Sequence, residues 1–264
     1  PSGEAPASVQ AVFRVHEGPG ERELETIARA IDALVTLHAL PDDPWRWRRR
    51  DGQTLADYVD GLPTDGPTRR YAMAISRQIL VQGHASRFTA EKGAHYGVGA
   101  SAYARFSSPM REIVGIFVHK ELLEAQVTQD ADAIAADEAL RERVIKAGNR
   151  AKARQRQVTK AVHKAALDRL LRPELSRDAA SRRVWRGTLM GIRGPKLYVM
   201  LDDPSIEVKL YAQDLVPPMR PMSSGVAVEV EGGASRWALG DELTLVLDAY
   251  KARRERWTFT VRRA

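Results

Sequence analysis

Arg111 occupies an unusual place in "SPMREIVGIFVHKELLEA" (Ser108–Ala125). Ser108 followed by Pro109 marks a helix start: serine caps free N–H groups and proline suits the first helical position. A cation in that first turn opposes the helix dipole. The positions that follow include Ile113, Val114, Ile116, Phe117, Val118, Leu122 and Leu123. They cover most of the circumference, so the spacing predicts a central, buried helix. A guanidinium at its mouth is costly unless paired. Two partners answer that: a carboxylate such as Glu112, or an anionic ligand. A phosphate would accept the helix N–H groups and the arginine fork together, with Ser107 and Ser108 beside it.

A second feature has the same chemistry. Residues 150–172 hold eight Arg and Lys against one acid, Asp168, whereas the whole chain of 264 residues has 41 basic and 34 acidic groups. The excess is therefore local, which points to a polyanion contact or to a solvated helix face. The run predicts about 35 Å of helix. Val158, Val162, Ala166 and Leu170 keep helical spacing, but residues 146–157 offer only alanines and Gly148, so that part buries little. It reads as a channel lining, with Arg150 and Arg154 facing a single strand.

These residues need elements to hold them. The pattern predicts a short strand in Ala11–Pro19 and helices over Glu21–Leu40, Thr68–Thr89, Pro109–Val127 and Asp130–Leu171, the last closed by Pro173. Glu91–Phe106 is glycine-rich and irregular. From Arg183 onward come six short alternating runs, among them "KLYVML" and "EVKLYA", which predict a small β-barrel of the OB kind. The fold class is α+β, a mostly helical region over 1–182 followed by the barrel over 183–264.

There is no cysteine, so disulfides and thiolate chemistry are excluded and a reducing cytoplasm is the default. No apolar run approaches a membrane span, so no membrane partner is expected. The six histidines show no metal-ligand spacing, and His119 reads as a packed residue. "WRWRRR" (Trp45–Arg50) mixes stacking and charge as RNA binders do, or packs its tryptophans in a loop. The first methionine is Met73, so Pro1 is not a translation start and an upstream portion is expected.

"HYGVGASAYARFSSPMREIVGIFVHKE" (His95–Glu121) resembles the signature of the ribonuclease II, or RNB, family. His95, Tyr96 and Gly97 match its His-Tyr-Gly turn. Tyr103, Phe106, Ser108, Pro109, Arg111 and His119 match the run after it, and "FRVHEGP" (Phe13–Pro19) resembles an earlier segment. The barrel resembles the OB-fold RNA-binding domain that ends many members. The resemblance implies a Mg²⁺-dependent, processive, hydrolytic exoribonuclease that degrades single-stranded RNA from the 3′ end to nucleoside 5′-monophosphates. Arg111 then matches the catalytic arginine that grips the phosphate. His95, Tyr96 and Tyr103 would lie near the last nucleotide, Gln155 stands where relatives carry a glutamate, Tyr198 would stack a base, and Lys196 and Lys209 would contact phosphates.

The sequence also departs from that pattern. Glu112, Ile113, Gly115 and Lys120 replace the family's second Arg, aromatic, Asp and Arg, which leaves the local ion-pair network open. No Asp-x5-Asp-x-Asp-Asp cluster is present, so the Mg²⁺ ligands are expected upstream, in an N-terminal part of the same enzyme acting as a monomer. The alternative is a non-catalytic RNA-binding protein.

Overall fold

The computed structural model describes residues 9–106, 112–126, 131–232 and 235–263. In chain order the elements are β1 (Phe13–Val15), α1 (Glu21–Leu37), α2 (Asp42–Trp45), α3 (Leu55–Asp60), α4 (Arg69–Gln82), β2 (Arg87–Thr89), α5 (Ile113–Glu124) and α6 (Ala131–Leu175). Eight strands follow: β3 (Val184–Arg193), β4 (Lys196–Leu201), β5 (Glu207–Tyr211), β6 (Met219–Pro221), β7 (Ala227–Val230), β8 (Arg236–Ala238), β9 (Glu242–Lys251) and β10 (Arg256–Arg263). The fold is mixed helix and sheet, with antiparallel sheets.

Two compact units are present: Pro1–Pro19 with His84–Lys164, and Gly20–Gly83 with Ala165–Ala264. The position near 183 read from sequence marks the first barrel strand, whereas the compact units divide elsewhere. The reason is the apolar stripe of α1, with Ile27, Ile31, Leu34 and Val35 buried, and the face of α4 around Ile75. Both stripes join the same core as the strands.

In the first unit, β1 and β2 form a two-stranded antiparallel ladder with Arg14 opposite Phe88. Its core is small: Val12, Phe88, Val114, Phe117, Val118 and Val144. Gly148 is buried on α6, where a Cβ would lie 2.9 Å from Val114 and 3.1 Å from Phe88, so only glycine lets the helix come this close. Asn149 then docks the helix on β2. The Phe88 N–H donates to Asn149 Oδ1 and Asn149 Nδ2 donates to the Phe88 carbonyl, both at 2.9 Å.

In the second unit, a five-stranded sheet runs β10-β9-β3-β4-β5 and a three-stranded one β6-β7-β8. The large sheet curls: β5 and β10 lie against one another, and Val216 bridges to Thr260. Inward residues such as Trp185, Leu189, Val199, Leu245 and Phe259 are almost fully buried.

Several elements differ from the sequence reading. α4 stops at Gln82 because Gly83 turns to extended backbone, which frees 87–89 to pair as β2. α6 continues two residues past Pro173, since a proline in the last turn removes a single ladder bond. Helix α5 begins at Ile113 with Glu112 at its N-cap, and it is buried on one face only. Val114, Phe117 and Val118 point inward, whereas Ile113, Ile116, Leu122 and Leu123 are exposed. The stripe expected on α6 is likewise exposed at Val158 (61%) and Val162 (63%), because that stretch has no packing partner among the described residues. Two short strands, β6 and β8, join the five or six anticipated.

Candidate nucleic-acid interface

Three groups of side chains have the chemistry of a polyanion or base contact. The first is an aromatic knot in the first unit. His95 sits at the start of a tight loop that Gly99 closes at φ +69°, a value that favours glycine. The His95 ring meets His16 edge-on at 5.1 Å and Tyr103 at 5.0 Å. The Gly97 N–H donates to His16 Nδ1 (3.2 Å), so the His16 proton lies on Nε2, which donates to the His84 carbonyl (2.9 Å). His95 is 7% exposed, and both its ring nitrogens are buried with no partner among the described residues. Burial, and then the Arg14 charge, lower its pKa below the usual imidazole value, so it is neutral at pH 7. Tyr96, by contrast, is 47% exposed.

The second group is a cleft of about 500 Å³ beside α6. Phe88, Ile113, Val114, Gly148 and Ala151 form its apolar lining; Arg105, Glu112, Lys152 and Gln155 supply the polar groups. Lys152 Nζ donates to the Ser86 carbonyl and to Ser86 Oγ (2.9 Å), and it lies 5.2 Å from the Phe88 ring centre. Arg14 Nε donates to the same Ser86 hydroxyl at 3.1 Å. Two cations thus converge on one neutral oxygen. The nearby carboxylate, Glu112, is held by Arg105 at 3.0 Å. Burial pushes the Lys152 ammonium down to about 8, and Arg14 and Arg156 push the same way.

Of the residues singled out from sequence, Gln155 lines this cleft. Arg150 and Arg154 are exposed on α6. Arg111, Ser107 and Ser108 lie outside the described residues. Sequence reasoning missed Arg14, Ser86, Arg105 and Lys152. The basic run contained Lys152, but its two-residue spacing from Arg150 and Arg154 hid that it alone turns inward.

The third group is on the second unit. Alternation puts Lys196 and Tyr198 of β4 and Lys209 and Tyr211 of β5 on the outer sheet face, with Tyr198 opposite Lys209 and Lys196 opposite Tyr211. The Tyr198 ring carries the Arg77 guanidinium at 5.3 Å, and Arg77 is held by both oxygens of Glu207 (2.9 and 3.1 Å). Tyr211, not singled out from sequence, lies under Arg256 at 3.4 Å. Asp214, nearly buried, fixes Arg256 and Lys251 at 3.0 Å each.

Among the described residues, one group of acids could hold a cation: Glu121, Glu124 and Asp137. It does not fit Mg²⁺, because Lys120 Nζ already donates to all three. Burial alone would lower the Lys120 pKa; the bonds to Asp137 and Glu124 outweigh it and raise the value. Lys120 therefore supplies the ion-pair network where the family pattern has arginine. His119 stacks on Phe106 at 3.9 Å and its Nε2 is 3.0 Å from the Phe106 carbonyl oxygen. The "WRWRRR" loop buries Trp45, and Trp47 Nε1 donates to the Gln53 carbonyl. Its Arg46, Arg48 and Arg49 pair with Asp32, Asp43 and Glu21.

No family model matches the sequence. Over 120 residues the chain is 35% identical to exoribonuclease 2 of Aeromonas hydrophila, a stretch that is 44% of this chain and 16% of that protein. Over 127 residues it is 24% identical to ribonuclease R of Aquifex aeolicus, 48% of this chain and 16% of that one. In fold it is similar to Mycoplasma genitalium RNase R in complex with ribose-methylated single-stranded RNA, with a TM-score of 0.73 at 12% identity over 96% of this chain and 38% of that chain. The same protein in complex with double-stranded RNA gives 0.62 at 13% identity, over 96% of this chain and 37% of that one. The matched stretch is thus about a sixth of each curated relative. Over part of its length the chain is similar in sequence to exoribonuclease 2 and ribonuclease R, and it has the fold of part of RNase R.

Proposed function

We propose that this chain is the RNA-handling part of an RNB-type 3′-to-5′ exoribonuclease. The observation that carries the reading is the cation-lined cleft beside α6, in a chain with the fold of a ribonuclease. Arg111 grips the phosphate at the scissile bond, Gln155 hydrogen-bonds the terminal nucleotide, and His95, Tyr96 and Tyr103 shape the floor around it. The second unit is an OB-type barrel whose Lys196, Lys209 and Tyr198 face engages the incoming strand. Mg²⁺ would supply charge neutralisation at the phosphate in this reaction, and the acid group among the described residues, occupied by Lys120, would not hold it. Its ligands are carboxylates outside the described residues, and the reaction is processive, cytoplasmic and carried out by a monomer.

The protein's own contribution is positioning and charge. A guanidinium fork can hold two phosphate oxygens, which an ammonium cannot. Arg111→Lys is therefore expected to cut turnover more than RNA affinity, read from single-turnover rates against binding curves. An equal loss in both would contradict the assigned role.

The experiment for the whole reading is incubation with 3′-tailed RNA and Mg²⁺, with and without the aspartate-bearing part of the enzyme. Single-stranded RNA should bind in both cases, and progressive 3′ shortening should need the aspartates. Absence of binding at low salt would end the reading. Binding with no shortening in either case supports the second reading, a non-catalytic RNA binder. That reading draws on Lys120 occupying the one acid cluster among the described residues that could hold a cation.

A further inference from the structure

The cleft beside α6 has a charge imbalance that its own residues do not resolve. Arg14 on β1 and Lys152 on α6 both donate to Ser86 Oγ, at 3.1 and 2.9 Å. Neither forms an ion pair with a carboxylate among the described residues. Arg156 on α6 and Arg105 add charge of the same sign, and His95 is close enough to be affected by Lys152. Glu112 alone opposes them, and Arg105 already holds one of its oxygens. Ser86 offers lone pairs but no negative charge. Lys152 on the cleft wall and Arg14 beside it thus share one neutral oxygen, while the acid of the cleft is paired with Arg105; two cations with no carboxylate of their own are a costly arrangement for the empty site. It becomes favourable when an anion enters.

We propose that Lys152 is a phosphate-contacting residue of this cleft, sharing one phosphate of the bound strand with Arg14. The inference rests on the reading of the first unit as an RNA-handling unit. Ser86 is the placeholder: it holds the two cations side by side until a phosphate oxygen takes over their donors. Desolvation and the neighbouring arginines keep the empty-site ammonium near 8. An adjacent phosphate reverses the sign of the local field and restores an ordinary lysine value. Binding and proton uptake are therefore linked, and the linkage is largest above pH 8.

The test is calorimetric titration of the full chain with a twelve-nucleotide oligoadenylate at pH 8.5, in two buffers of different ionisation enthalpy. Wild type should take up about 0.7 proton per RNA bound, the change expected when a group near 8 returns to its ordinary value. Lys152→Arg should bind within about threefold of wild type and take up none. Lys152→Met should take up none and bind about tenfold more weakly. RNA binding without proton uptake in wild type, or unchanged affinity in Lys152→Met, would overturn the proposal and leave the RNA reading standing. Should the RNA not bind at all, the RNA reading fails, and NMR of ¹³Cε-labelled lysine with inorganic phosphate decides the anion site. A Lys152 titration midpoint that does not rise with phosphate overturns it.

Discussion

At the scale of the residue, buried groups with incomplete partners stand out. His95 is enclosed by His16, Tyr103 and the Gly99 loop, yet neither ring nitrogen is hydrogen-bonded among the described residues. An unsatisfied buried polar atom costs about 1–3 kcal/mol, and an apolar replacement of the same shape can recover it. His95→Phe is therefore expected to leave stability at pH 7 unchanged or raise it by about 1 kcal/mol. The acid response should differ too. The folded-state pKa of His95 is lowered, so the unfolded chain binds the proton more readily, and stability falls as pH drops below about 6.5. The variant lacks that loss, which denaturant titrations at pH 7 and pH 5 will read. A variant that unfolds at pH 7 would mean the ring nitrogens have partners after all. Lys152 gives the opposite window. Its folded pKa is near 8 against 10.5 unfolded, so its contribution to stability rises with pH between those values. Lys152→Met should gain about 1 kcal/mol at pH 7, discounted for partial exposure, and lose the alkaline rise. A stability equal to wild type at both pH values would contradict the buried-cation account.

At the scale of the element, α5 and α6 set the first unit. Lys120 ties the two helices by reaching Glu124 on its own helix and Asp137 on the next, while Glu121 accepts the Gln10 N–H at 2.8 Å. Glu121 and Asp137 are 2% and 7% exposed, so removing the ammonium strands two buried acids. Lys120→Met should cost about 3 kcal/mol by thermal or denaturant unfolding. A loss below about 0.5 kcal/mol would mean that the acids are solvated. Gly148 carries the neighbouring constraint. Gly148→Val must push against Val114 and Phe88 and is expected to cost about 1–3 kcal/mol, with loss of the cleft geometry. These elements were partly legible in the sequence. The helix spacing of 113–124 and the strand alternation after 183 are local patterns, and both elements formed. The face that α5 buries was not legible, because a helix apolar all round does not announce which side finds a partner. The end of α4 was legible only as Gly83, against a periodicity that continued past it.

At the scale of the whole molecule, the candidate site is made of residues far apart in sequence. Arg14, Ser86, Arg105 and Lys152 meet only after β1 pairs with β2 and Asn149 docks α6 on that ladder. No spacing rule joins positions so distant, and so the cleft was invisible while Gln155 on its rim was not. The motif residues His95, Tyr96 and Tyr103 were legible because their run is contiguous. Tyr198 was singled out by the resemblance, but the Arg77 that covers it comes from α4 and could not be. The charge distribution makes a prediction at this scale. If the cleft and the exposed arginines of α6 hold several phosphates, RNA affinity falls linearly on a log–log plot against salt, with a slope of about −0.7 per phosphate on a single strand. A slope near zero would remove the polyanion contact from the account.

The central claim is that single-stranded RNA lies with its 3′ end in the cleft of the first unit and its 5′ portion on the barrel face. Photocrosslinking of oligoadenylates carrying one 4-thiouridine, at the 3′ terminus or toward the 5′ end, tests this directly. The account predicts that the 3′ probe labels peptides containing Ser86, Tyr96 or Lys152, and that the 5′ probe labels those containing Lys196, Tyr198 or Lys209. Reversed polarity, or labelling confined to the arginines of the Trp45–Arg50 loop, would contradict it.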